Sequence, residues 1–314
     1  MILLFINTKF LLINISRLQD NLKNIMIPLV KDDYIKVAGS GNNFSVSFDR
    51  LPSKHGNYYE ESVLSAQEIY ANKTGQLHIL YSGGIDSEYA LSVFLELGMN
   101  ITPVIIRFNN DYNAHDLRYA LEFCQCKNII PKIIDIDFDW FVESGKILEI
   151  ATQSKSSVYH RPATAYVATM IDGTVICGDG EPYIRLNSDN VWKIEIDEND
   201  YSVYNYMMTH NIPGTIHFNR YTAKQYAAWI TDPRMSELAE HRHVGKLGSN
   251  SSKHIIYNRC SPFELKERQK FTGYEQIDIS PIINHPNIVE LCNRGKDYSG
   301  LVTIPYHEFI KQYV

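Results

Sequence analysis

Apolar positions recur with two different periods along this chain, and the period switches repeatedly between residues 77 and 178. The run 77-LHILY-81 reads as a short buried strand, and apolar residues at helical spacing then predict a helix over 86–98. The alternation continues with strand 101-ITPVIIRF-108, helix 114-AHDLRYALEFCQ-125 and strand 131-PKIIDIDF-138. Helices are expected around 139–152 and 162–172, before strand 173-GTVICG-178. Strands separated by helices of this length require βαβ crossovers, so the fold predicted is α/β with a doubly wound parallel sheet.

The flanks have a different texture. Alternating runs 34-YIKVAG-39 and 44-FSVSFD-49 surround 39-GSGNN-43, whose glycines and asparagines supply the turn of a small hairpin. A helical stretch, 60-EESVLSAQEIYANKTG-75, leads into the first core strand. Beyond about residue 185 the order gives way to tyrosine-rich segments such as 222-TAKQYAAWITD-232 and 233-PRMSELAEHR-242, which predict a helical C-terminal lobe. Three units are therefore expected: an N-terminal extension with a small β-containing segment (1–75), an α/β core (76–185) and the helical lobe (186–314).

Composition narrows the function. The 314 residues suffice for one large or two modest domains, and a charged fraction of 21% with 12% aromatics is that of a folded protein. A net charge of −6 argues against a general affinity for nucleic acid or anionic membrane. The five cysteines make no zinc-type spacing, since 124-CQC-126 is one residue short of C-x-x-C, and a reducing cytoplasm is expected. The apolar start MILLFINTKFLLINI carries Asn7, Lys9 and Asn14, lacks a basic leader and is too short for a bilayer of ~30 Å. It reads either as an extension ahead of Met26 or as a misassigned start, and no membrane association is expected.

The candidate chemistry lies in 82-SGGIDS-87, where the first core strand passes into its helix. Glycines there let the backbone approach a ligand closely, and a helix N-terminus presents unpaired N–H groups that favour an anion. No G-x-x-x-x-G-K-[ST] loop exists, because Glu240 stands where the first glycine before 245-GK-246 would be. Hydroxyls and bare amides suit phosphate oxygens, and a carboxylate beside phosphate makes sense with Mg²⁺ between them. The plainer alternative is a glycine turn with Asp86 capping the helix.

The full hexapeptide at a strand-to-helix junction resembles the pyrophosphate loop of the PP-loop ATP pyrophosphatases, S-G-G-x-D-S, which cleave ATP between its α- and β-phosphates. The resemblance implies that Ser82, Gly83, Gly84 and Ser87 hold the pyrophosphate of ATP, with Asp86 on Mg²⁺. The segment 161-RPATAYVATMIDGTVICGDGEPY-183 is similar to the asparagine synthetase branch, where a strand ends in G-E-G or G-D-G. On that likeness Gly178 contacts the nucleotide, and Asp179 matches the acidic position. The chain then departs from the pattern: Glu181, Pro182 and Tyr183 stand where an Asp-Glu pair is usual, so Glu181 is the candidate replacement for the second metal-binding carboxylate.

A third segment, 253-KHIIYNRCSPFELKERQKFTGYE-275, resembles the synthetase stretch whose R-x-K lysine serves the phosphates and the oxyanion. Lys270 matches that lysine, with Arg268 as its neighbour on the nucleotide, while Lys266 belongs to a solvated face. Elsewhere, His241 and His243 lack a third placed ligand and read as surface, and His160 and Arg161 precede a helix that could face the site. No G-x-S-x-G elbow exists.

The resemblance implies adenylation of a carboxylate or similar oxygen by Mg-ATP, followed by attack of ammonia or an amine to form an amide. Catalytic roles fall to Lys270, Asp179 and Glu181. With no cysteine among the residues before Ser82, the amine donor is expected to be free ammonia, a substrate amine or a partner's product. Two alternatives stay open: a PP-loop enzyme that adenylates an RNA base oxygen, for which the expected basic groove is not visible, and a nucleotide-binding module without turnover. Nucleic acid is not the expected partner, and the oligomeric state is left open.

Overall fold

Five parallel strands form the centre of the molecule, in the spatial order β5-β4-β3-β6-β9. The computed structural model describes residues 32–186, 191–235, 253–266 and 277–314. The strands are β3 (Leu77–Leu80), β4 (Ile101–Phe108), β5 (Lys132–Ile136), β6 (Thr174–Cys177) and β9 (Gly214–Thr215). Winding outward from β3 in both directions gives the doubly wound topology expected from the sequence. Leu77–Leu80 pair in register with Ile101–Val104 on one side and Thr174–Cys177 on the other.

Both faces of this sheet are covered, which is why its central strands are nearly continuous apolar runs. Neighbouring residues on one strand serve opposite layers, because successive side chains alternate across a sheet. Ile79, Ile105 and Ile176 enter one core, whereas Leu80, Val104, Ile106, Val175 and Cys177 enter the other. The first layer is covered by α1 (Tyr58–Asn72), α2 (Ile85–Glu96) and α3 (Ala114–Cys126). On the second lie α4 (Phe138–Glu143), α5 (Lys146–Ser154), α6 (His160–Ala168) and α7 (Ser202–Thr209). Helix α1 begins at a capping box in which Asn57 accepts from the Glu60 amide and the Glu60 side chain accepts from the Asn57 amide.

The N-terminal hairpin is present as β1 (Ile35–Ala38) and β2 (Ser45–Phe48), paired antiparallel. The region after residue 185 differs from the expectation of a mainly helical lobe. It does contain α8 (Ala223–Ile230), within the predicted 222–232 helix, and the short α9 (His254–Tyr257). It also contains a three-stranded antiparallel sheet, β10-β8-β7, formed by β7 (Tyr183–Leu186), β8 (Trp192–Asp197) and β10 (Leu301–Pro305). The reason is visible in β8: Ile194 and Ile196 are buried two residues apart, a strand period within a segment read as helical. Helix α10 (Pro286–Asn293), α11 (Gly295–Tyr298) and α12 (Tyr306–Tyr313) complete the chain, and α12 closes on the hairpin through Phe309 and Phe48, ring centroids 4.8 Å apart. The predicted 233–242 helix and the N-terminal extension fall outside the described residues, apart from the first few positions of the former. No helix of the described residues is long and apolar enough to cross a membrane.

Candidate active site

Strands β3 and β6 are neighbours whose connections leave toward opposite faces, so a crevice opens beyond their carboxyl ends, where open α/β sheets bind ligands. Both glycine-bearing loops of the sequence meet there. Leaving β3, Gly83 has φ +83°, and a Cβ on it would lie 2.8 Å from the Asp116 carbonyl oxygen, so glycine is needed both for the turn and for contact with α3. Leaving β6, Gly178 packs so closely that a Cβ would meet the Asp86 carbonyl oxygen and the Ser87 Cα at 2.6 Å. The two loops are therefore in backbone contact, with no room for a side chain between them.

The first loop is held by its own hydroxyls. Ser87 Oγ donates to the Gly84 carbonyl at 2.9 Å, the Gly84 amide donates to Ser82 Oγ at 3.2 Å, and the two serine oxygens lie 3.2 Å apart. Helix α2 starts at Gly84 with no side chain capping it. Ser82, Gly84, Asp86 and Ser87 line a cleft of about 630 Å³, together with Gly178, Asp179 and Glu181 from the second loop. Seven of the expected site residues thus share one cavity. Of the loop residues expected at the site, Gly83 is the one that turns away, toward α3. Arg268 and Lys270 lie outside the described residues, as do His241 and His243, and Lys266 is exposed.

A lysine that sequence reasoning passed over occupies the middle of this cleft. Lys253 is only 2% exposed, and its Nζ donates to Asp86 Oδ2 at 2.8 Å and to Glu181 Oε1. Burial alone would lower its pKa, but the Asp86 and Glu181 carboxylates raise it well above the ordinary lysine value, so it is an ammonium. Glu181 faces the complementary situation: burial and the Asp86 charge push its pKa up, against the pull of Lys253. One ammonium thus serves two carboxylates. Tyr257, one helical turn beyond Lys253, donates its hydroxyl to Asp86 Oδ1 at 2.5 Å. Burial and the Asp86 charge hold that phenol far above its usual pKa, so it stays protonated and donates. Its ring stacks on Tyr89 of α2 with centroids 4.2 Å apart and planes 17° apart.

Asp179 is organised separately. Arg161, at the start of α6, donates to Asp179 Oδ2 and, at 3.3 Å, to Asp200 Oδ1. Enclosure in the cleft would raise the Asp179 carboxyl, but Arg161 holds it below the usual carboxylate range. His160 also lines the cleft; burial, then the Arg161 charge, depress its pKa to about 3, so its imidazole is neutral. Glu195, Asp197 and Asp200 also line the cleft.

The expected magnesium on Asp86 does not fit this arrangement. Both Asp86 oxygens already accept hydrogen bonds, from Lys253 and Tyr257, and the neighbouring Glu181 accepts from the same lysine. Among the described residues no group of three or more histidines, cysteines or carboxylates is placed to hold an ion. The missed pair had a signal: in 253-KHIIY-257 the lysine and tyrosine are four apart, on one face of a turn whose Ile255 and Ile256 are buried.

No family model matches this chain, and no curated protein matches it. Among solved structures the chain is similar to one titled as the crystal structure of a predicted subunit of tRNA methyltransferase from Methanocaldococcus jannaschii. The identity is 18%, the TM-score 0.29, and the match covers 49% of this chain and 74% of that one. A likeness at that level carries no argument about chemistry. The class rests on this chain's own geometry: a doubly wound α/β protein with a cleft at the switch point of its sheet.

Proposed function

We propose that this protein is a PP-loop enzyme that binds ATP in the β3/β6 cleft and adenylates an oxygen of a small carboxylate substrate, with release of pyrophosphate. The observation that carries the reading is the convergence of 82-SGGIDS-87 and 178-GDGE-181 on one cavity, with the Ser82 and Ser87 hydroxyls and an uncapped helix N-terminus at one end. These groups are the kind that hold phosphate oxygens. In the first step the substrate oxygen attacks the α-phosphorus, the bond between α-phosphorus and bridging oxygen breaks, and pyrophosphate leaves. In the second an amine attacks the acyl carbon, a C–N bond forms, AMP departs and the amine loses a proton. Most of this is positioning and charge neutralisation rather than covalent catalysis by the protein.

The carboxylates Glu195, Asp197 and Asp200 in the cleft lining disfavour a polyanionic RNA. This supports an amide-forming reaction over base modification. On this reading Asp179, held by Arg161, positions the attacking amine. The assay is the product analysis of ATP turnover with a panel of amino acids and amines. AMP and pyrophosphate are expected, growing with the amide product. ADP and phosphate as the main products would overturn the proposal.

A further inference from the structure

The carboxylate of the loop, Asp86, already has a resident cation supplied by the chain itself. We propose that Lys253 takes the place of a metal ion at the Asp86–Glu181 pair, and that the anion entering the cleft meets this ammonium rather than a divalent cation held on Asp86. The proposal rests on the reading above only for the identity of the anion.

Three observations support it. The first is geometric. Two carboxylates from two loops, Asp86 on α2 and Glu181 after β6, converge on a single nitrogen that is almost wholly buried. This is the layout of a carboxylate pair around an ion, with the ion replaced by an ammonium. The second concerns how the lysine is held. Its carbonyl accepts from the Ile256 amide at 3.0 Å and the Tyr257 amide at 3.1 Å, which fixes the backbone from which the side chain projects. Tyr257 in turn grips the other Asp86 oxygen and stacks on Tyr89, on the helix that Asp86 opens. Asp86 is clamped from both sides by one turn of chain.

The third is charge and coordination. Mg²⁺ demands near-octahedral oxygen ligands at about 2.0–2.1 Å and sheds its waters reluctantly. To bind between Asp86 and Glu181 it would have to expel an ammonium from a buried position where it neutralises one of two carboxylates. The displaced ammonium would be left buried without a carboxylate partner, so the exchange is unfavourable. An ammonium at the same point is a compact charge with three donors, two engaged by carboxylates, and it lines the cleft into which a phosphate would come.

The experiment is a titration of the full chain with Mn²⁺ alone, without nucleotide, read by the free-ion signal in electron paramagnetic resonance. The wild type is expected to bind no Mn²⁺ at the pair. Lys253→Met is expected to gain one site at least ~10-fold tighter than any wild-type binding, and adding Asp86→Asn should remove it again. Lys253→Arg, which keeps the cation, is expected to exclude Mn²⁺ as the wild type does. Wild-type Mn²⁺ binding that Asp86→Asn abolishes would overturn the proposal, and so would a folded Lys253→Met that gains no site. Should Lys253→Met fail to fold, the wild-type and Asp86→Asn titrations decide alone. Calorimetry with ATP in EDTA separates the two readings: absence of ATP binding under any condition sinks the proposed function, while the Mn²⁺ result still stands or falls by itself.

Discussion

Lys253 Nζ donates to Asp86 Oδ2 at 2.8 Å, a bond between positions 167 residues apart in the chain. It ties the first turn of α2 to the turn of the C-terminal lobe that leads into α9, and through Glu181 it includes the β6 loop as well. Three segments that the sequence marks separately are joined at one nitrogen.

Removal of that nitrogen should therefore be felt as stability as well as binding. Lys253→Met leaves two half-buried carboxylates facing each other without the ammonium between them, and urea unfolding should show a loss of about 3 kcal/mol. Combining it with Glu181→Gln, which removes one of the two charges, should recover at least half of that loss. A double variant no more stable than the single would mean that the lysine acts by packing rather than by charge.

Gly178 and Gly98 make a matched pair. At Gly178 an added Cβ meets the Asp86 carbonyl oxygen and Ser87 Cα at 2.6 Å, both backbone atoms. At Gly98, with φ +63°, nothing lies within 4 Å. Gly178→Ala must push the two loops apart, so it should cost about 1–3 kcal/mol and weaken ATP binding at least ~10-fold. Gly98→Ala should cost about 1 kcal/mol from backbone strain and leave ATP binding as it is. Equal effects of the two on ATP affinity would count against the contact between the loops as the basis of the site.

His160 gives a pH dependence with a definite sign. Its native pKa is about 3, below the ordinary 6.5, because burial and the Arg161 charge oppose the imidazolium. As pH falls through 6.5 the unfolded chain takes up this proton and the native state does not. The contribution of His160 to stability is thus fully present above about pH 6.5 and declines toward pH 3. At pH 5 the loss is at most about 2 kcal/mol. Replacing His160 by Gln should flatten the stability profile between pH 7 and 5. A profile as steep as that of the wild type would place the acid sensitivity elsewhere.

Lys270, from the third segment, is tested against Lys266, which is exposed. Lys270→Ala should lower kcat by about 10²-fold with ATP affinity changed much less, since an ammonium serving developing charge acts mainly in the transition state. Lys266→Ala should leave turnover as it is. If both variants slow the reaction alike, or neither does, the role carried over to Lys270 fails.

The alternation of strand and helix from 77 to 178 was legible because periodicity is local: a residue faces the core or the water according to its place in its own element. The same locality made 82-SGGIDS-87 readable at a strand-to-helix junction, where glycine is needed for the left-handed turn at Gly83 and for close approach. Elsewhere the local pattern misled. The Ile194/Ile196 alternation is short, and strand β8 exists because β7 and β10 pair with it from either side, the latter more than a hundred positions on.

Sequence alone determined the class of sheet, the place of the anion-favouring loop and the acidic residues after β6, since each depends on neighbours a few positions away. Only the tertiary structure decided what those carboxylates face. A lone Asp86 beside hydroxyls and amides admits a metal as readily as an ammonium. The choice of Lys253 depends on a turn of chain brought back over α2 by the stacking of Tyr257 on Tyr89. The charge that balances a buried group is set by what folds against it, and distance along the chain carries no trace of that.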